Sequence, residues 1–195
     1  MNHLFKVVVI AALLSGCGTD PVADSEDKSA AAAAIKDTPP IAYGKSGAAS
    51  DMEVTVISVE QKELIGPKGF GDEAAPGETF VVVRYTVKNL SKKPLMRPDF
   101  PGVELIDGTD QGYAEDRQAA VLEAALNDDL QSSGDLNPNI SAKLTSVWKV
   151  DRTSFDPAVW RLKVSFDEGF SAKLDKAAKW PLDSDGAPPL LFKLK

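Results

Sequence analysis

Between residues 51 and 195, apolar and polar side chains alternate with a period of two in several separate runs. That spacing sends successive side chains to opposite faces of a β-sheet. Met52, Val54 and Val56 alternate with Glu53 and Thr55, after which Ile57 and Val59 take over the apolar role, a change of phase that predicts a bulge near Ile57. Over residues 79–89, Val81, Val83, Tyr85 and Val87 share one face against Arg84, Thr86 and Lys88, while Phe80 and Val82 add apolar surface to the second face. This reads as a central strand covered on both sides at its start. Residues 103–107 form a shorter run. Ile140, Ala142, Leu144, Trp148 and Val150 line one side of 140–151, and Trp160, Leu162, Val164 and Phe166 do the same over 160–166. Leu190, Phe192 and Leu194 predict a last strand. Trp148 and Trp160 stand in register with aliphatic residues and are assigned to the core, whereas Trp180 lies outside any ladder.

Only residues 116–130 repeat at helical spacing. Leu122, Leu126 and Leu130 lie beside Val121 and Ala125, with Asp116 placed as N-cap, and this stripe is expected to pack on a sheet. Residues 61–77 carry Gly66, Pro67, Gly69, Gly71, Pro76 and Gly77 and read as a flexible loop. The run from Gly66 to Gly71 lacks the Gly-Lys-Ser/Thr ending of a phosphate-binding loop and opens no helix. Clean strands, glycine-proline loops and one short inserted helix predict an all-β fold, a two-sheet antiparallel sandwich spanning 51–195.

The first 50 residues follow different rules. Lys6 and the apolar span from Val7 to Leu14 have the charged and hydrophobic regions of an export signal, too short to cross a hydrocarbon core of about 20 helical residues. Leu14-Ser15-Gly16-Cys17 resembles the lipobox of bacterial lipoproteins. The resemblance implies cleavage before Cys17 and acylation of its thiol, so that residues 1–16 are a signal peptide and Cys17 is a lipid anchor. It places the protein in the bacterial cell envelope. Gly18 rather than aspartate follows the cysteine, which in a Gram-negative host points to the outer membrane facing the periplasm. Residues 17–50 are rich in Ala, Ser, Asp and Pro and are expected to form a disordered tether with a reach of ~30 Å.

Composition then narrows the chemistry. The single histidine is His3 and the single cysteine is Cys17, so a chain beginning at Cys17 has no histidine and no second thiol. Ser-His-Asp triads, Cys/His zinc sites and disulfides are excluded. The formal net charge is −7, and without the segment bearing Lys6 it becomes −8, from 21 basic and 29 acidic side chains. Such a balance opposes nucleic acid and anionic head groups, leaving membrane contact to the lipid. No cofactor is implied. Asp107 and Asp110, in Asp107-Gly108-Thr109-Asp110-Gln111-Gly112, come nearest to a calcium loop, but Thr109 and Gln111 stand where an EF-hand requires Asp or Asn. A hairpin turn is the better reading. Asp183-Ser184-Asp185-Gly186 is read in the same way.

Gly77 to Asn89, then Leu105-Ile106-Asp107-Gly108 and Tyr113, then Leu136-Asn137-Pro138 before Ile140 to Val150, resemble the bacterial domain of unknown function 4352. Pro138-Asn139 stands where members of that family often have Pro-Gly. The resemblance implies an immunoglobulin-like sandwich, frequent among lipoproteins and secreted proteins, without established catalytic residues. The expected function is a non-catalytic accessory module that binds another envelope or extracellular protein. An inhibitor or immunity lipoprotein acting on a basic lytic enzyme or toxin is the alternative. A carboxylate-dependent hydrolase would need two acidic groups in one cleft.

Overall fold

The computed structural model describes residues 39–127, 129, 134–166 and 187–195. The strands are β1 (Ser46–Ala49), β2 (Met52–Lys62), β3 (Leu64–Ile65), β4 (Asp72–Glu73), β5 (Glu78–Asn89), β6 (Gly102–Ile106), β7 (Gly112–Tyr113), β8 (Ser141–Asp151), β9 (Arg161–Phe166) and β10 (Ala187–Lys193). Helix α1 (Arg117–Leu126) lies between β7 and β8. One antiparallel sheet runs β1-β2-β5-β8 and the other β10-β9-β6-β7, while β3 and β4 form a separate hairpin. The predicted all-β, two-sheet antiparallel sandwich with one inserted helix is therefore the fold observed.

β5 is central, hydrogen-bonded to β2 on one side and β8 on the other. Val81, Val83, Tyr85 and Val87 enter the inter-sheet core with Val54, Val56, Trp148, Trp160, Leu162, Val164 and Phe192. Each fully buried valine contributes roughly 1.5–3 kcal/mol relative to exposure. The register of β2 shifts between Val56 and Ser58, so Ile57 is bulged out and exposed while Val59, opposite Val83, returns to the inner face. The bulge keeps both halves of β2 in phase with the core. A second cluster, formed by Phe80, Val82 and Val147 with Ile65, Ala119 and Ala120, fills the space between the outer face of this sheet and α1.

Four expectations need correction. The folded part begins before residue 51, because β1 pairs with β2 within what reads as tether. β1 is built from small residues because it passes close to β10: a Cβ on Gly47 would lie 2.2 Å from Ile41 Cδ1. A strand chosen for closeness has no hydrophobic ladder to betray it. The expected loop at 61–77 holds the β3–β4 hairpin, with Phe70 92% exposed at its tip. Ile140 is exposed rather than inward.

The fourth correction concerns the helix. Asp116 caps it as expected, its Oδ1 accepting from Ala119 N at 3.0 Å. However, α1 buries Ala119, Ala120, Glu123 and Ala124, while Val121 and Leu126 are 60% and 53% exposed. Alanines permit close approach to the sheet, and the sheet offers α1 an arginine, so a carboxylate rather than a leucine occupies the contact. Leu130 lies outside the described residues, as do Trp180 and the Asp183–Gly186 motif.

Candidate functional site

The two lateral edges of the sandwich differ. At one, β1 and β10 close against each other through Ile41, whose N–H donates to Leu191 O at 2.7 Å and whose carbonyl accepts from Lys193 N at 2.8 Å. At the other, β7 and β8 are not hydrogen-bonded to each other, and the sheets part around a cleft of about 660 Å³. Tyr85, Phe100, Val103 and Tyr113 contribute its aromatic and apolar wall, and Arg97 and Glu115 stand at its rim. On the helix side of β8 lies a second hollow of about 220 Å³, against Ala120, Val121 and Ala124. Arg97, Glu115, Arg117, Leu144 and Thr145 line both hollows. β8 thus has a recess on each side.

Tyr85 is buried, with its hydroxyl 3.4 Å from Ser146 Oγ. Burial pushes its phenol up to about 12, against a smaller opposing effect of the Ser146 contact. At neutral pH it is a hydroxyl able to hydrogen-bond rather than a base. Partial desolvation, then the Asp107 carboxylate, also raises Tyr113, whose ring stacks on Trp160 at 4.7 Å between centroids. Glu104 at the cleft is held by Lys163 at 2.9 Å. Neither Arg97 nor Arg117 has a salt-bridge partner among the described residues.

The helix-side hollow is braced by a buried ionic network. Arg84 Nη1 binds Glu60 Oε1 at 2.6 Å, Nη2 binds Glu123 Oε1, and Nε reaches Asp129 Oδ2 at 3.2 Å. The Glu123 and Asp129 side chains are 3% and 1% exposed. Lys62 adds to Glu123, Lys143 lies 3.3 Å from Asp129, and Thr145 Oγ1 donates to Asp129 at 3.0 Å. Asn127 Nδ2 donates to Glu123 Oε1 at 2.9 Å. Each buried carboxylate is thus satisfied, as burial of charge demands. Arg84 fastens α1 to the sheet beside the open edge.

Cys17 and the other lipobox residues, Leu14, Ser15 and Gly16, lie outside the described residues. Asp107 and Asp110 sit in the β6–β7 turn. Asp107 Oδ1 accepts from Thr109 N and Oγ1, both at 2.7 Å, and from Gln111 N at 3.0 Å, while Tyr113 donates to Oδ2 at 3.3 Å. The Thr109 hydroxyl is the main cause that holds the Asp107 carboxyl below its usual range. Asp110 takes the left-handed backbone of the turn, φ 65°. Among the described residues, no group of three or more His, Cys, Asp or Glu is placed to hold a metal ion. Sequence reasoning missed Arg97, Arg117 and the open side of β8. One signal was available for the network: Arg84 is the sole charge within Phe80 to Tyr85, a segment apolar on both faces, which implies a buried counterion.

No family model matches the chain, so the resemblance to the domain of unknown function 4352 gains no support from one. The chain is 37% identical over 117 residues to an uncharacterized protein, YxkC, of Bacillus subtilis; the match spans 59% of this chain and 65% of that protein. Among solved structures it resembles a conserved hypothetical protein from Bacillus anthracis, with TM-score 0.55 and 24% identity over 63% of this chain and 87% of the other. It also resembles the yjhA protein of Bacillus subtilis, with TM-score 0.51 and 14% identity over 78% and 98% of the two chains. These two likenesses establish the fold. Among the described residues, no helix is long and apolar enough to cross a membrane.

Proposed function

We propose that this protein is an envelope-anchored lipoprotein whose sandwich is a non-catalytic module for binding another envelope or extracellular protein, with the β7/β8 edge as its contact surface. The lipobox resemblance ending at Cys17 supports the address. One observation carries the role: a sandwich shut at one edge presents, at the other, an outer strand flanked by two recesses and by two arginines that have no salt-bridge partner among the described residues. Protein partners are commonly received at such a concave, mixed apolar and polar surface.

A photo-crosslinking residue at Leu144 in living cells is expected to yield a discrete protein adduct, and the same residue at Leu190 on the shut edge is not. Adducts of equal yield at both positions, or none at Leu144, would overturn the assignment of the surface. Feeding a fatty-acid analogue tests the anchor separately: the full chain takes up label and Cys17→Ser does not.

A further inference from the structure

We infer that the free edge of β8 between Ser141 and Thr145 receives an extended, acidic polypeptide segment as a fifth strand of the sheet. This rests on the reading of the β7/β8 edge as the contact surface and specifies how the contact is made. Among the described strands, β8 has β5 as its one hydrogen-bonded neighbour. Ile140 O faces β5, accepting from Asn89 N, and Arg152 N faces it too, donating to Gly77 O. Even-numbered residues of β8 therefore turn their backbone groups inward, and odd-numbered residues turn theirs to the outside.

Val147 O follows that rule, accepting from Asp116 N at 2.7 Å where the chain crosses from β7 to α1. The crossing ends the free edge. Before it, the outward N–H and C=O groups of Lys143 and Thr145 have no partner among the described residues. From Ser141 to Thr145 is roughly 14 Å of strand, enough for a short added strand to exchange a pair of hydrogen bonds with each of these two residues. Successive side chains of that strand point to opposite faces, and a recess waits on each face: the inter-sheet cleft on one, the hollow under α1 on the other.

Charge selects the occupant. Arg97 and Arg117 border both recesses, whereas the acidic Glu104 and Asp129 are already paired, Asp129 in part with Lys143 of the strand itself. Among the described residues, Glu115 is the one carboxylate lining the two recesses without a salt bridge, so the two arginines outnumber it. A second copy of this chain fits poorly. Pairing two β8 edges about a two-fold axis centred on Lys143 would set the two lysines opposite each other, and each copy carries a net charge of −7. An incoming strand with a carboxylate at its centre instead sets an opposite charge against Lys143.

The test uses the full chain and two heptapeptides of alternating valine and threonine, identical except for a central glutamate or a central lysine. Amide hydrogen exchange reads the result. The glutamate peptide at millimolar concentration should slow exchange at Lys143 and Thr145 by about tenfold and leave Ala48 on the shut edge unchanged. The lysine peptide should need about fivefold more for the same protection, a difference that Arg97→Gln with Arg117→Gln removes. Lys143→Pro deletes an outward N–H without touching the β5 ladder and should abolish protection while leaving the unfolding midpoint nearly unchanged. Thr145→Pro deletes the other outward N–H and should likewise abolish protection, read at Lys143, with a lowered unfolding midpoint because Asp129 loses a hydrogen bond.

No protection by either peptide, or equal protection by a glutamate peptide N-methylated at alternate residues, would overturn strand addition. So would protection by the lysine peptide at the same concentration as the glutamate peptide, since the acidic occupant would then be wrong. In cells, a Leu144 adduct that persists undiminished in Lys143→Pro would sink strand addition and leave the contact surface standing, whereas loss of every adduct in the otherwise native chain would sink both.

Discussion

The edge formed by β1 and β10 and the edge formed by β7 and β8 solve the same problem in opposite ways. Both are places where a sheet ends and backbone groups lack a neighbour. At the first, side chains are pared away: Gly47 leaves room for Ile41, Leu190 and Phe192, and Ile41 completes the hydrogen bonding of β10. At the second, side chains are retained and the outward backbone groups of Lys143 and Thr145 have no partner among the described residues, with lysine on the strand and arginines beside it. The shut edge is lined by small residues, whereas the open edge carries charge. Lys143 also deters indiscriminate pairing with other strands.

The difference depends on α1 staying fixed beside β8, and the largest effect is expected from loosening it. Arg84→Ala leaves Glu123 and Asp129 buried without their shared cation and should cost about 3–5 kcal/mol in chemical denaturation. The combined Arg84→Met, Glu123→Leu, Asp129→Leu variant should recover most of that loss, because burying unpaired charge is the penalty. Breaking the shut edge comes next. Gly47→Val places a Cβ within 2.2 Å of Ile41 Cδ1 and should destabilise by about 1–3 kcal/mol, with exchange accelerating first in β10.

The open edge has its own titration. The folded state holds the Tyr85 proton up to about 12, whereas an exposed tyrosine releases it near 10. Above pH 10 the unfolded chain sheds this proton first, so stability should fall as pH rises from 10 to 12, by roughly 2–3 kcal/mol for this group. Tyr85→Phe should flatten that decline in denaturant titrations at pH 9, 10 and 11. Hydrogen bonds from the Thr109 hydroxyl to Asp107, and from the Thr153 and Ser154 hydroxyls to Asp151, hold these carboxyls below their ordinary range. Their stabilisation is present above the unfolded-state value and is lost as pH falls through the depressed folded values. Asp107→Asn should therefore make unfolding less acid-sensitive, read as a shallower dependence of the thermal midpoint below pH 4. Lys143→Pro is the smallest change, about 1 kcal/mol, since it gives up a half-exposed lysine from an Asp129 that Arg84 and Thr145 still hold, and no ladder bond.

Sequence periodicity reveals a strand when one face is wet and the other dry. It found β2, β5, β8 and β9 for that reason, and it located the bulge because the change of phase at Ile57 is written in the order of residues. It missed β1, where Ser46-Gly47-Ala48-Ala49 was selected for close approach, and it misjudged α1, where alanines and one glutamate make the contact that leucines were expected to make. The helical repeat marked a helix correctly and its buried side wrongly, because what α1 packs against includes Arg84 from a strand 39 positions away. The open edge could not be read at all. Free N–H and C=O groups belong to every residue alike, and only the order of strands decides which of them find no neighbour.

Ile41, near the start of the described residues, bridges to Phe192 of β10 on the flank shared with β1, and β1 and β8 are the two ends of a four-strand row. With neighbouring strands about 4.8 Å apart, three such steps set the point of entry roughly 14 Å across the sheet from the unfilled margin. The described chain thus enters on the sealed flank, and the open flank lies on the far side of the sandwich from that entry.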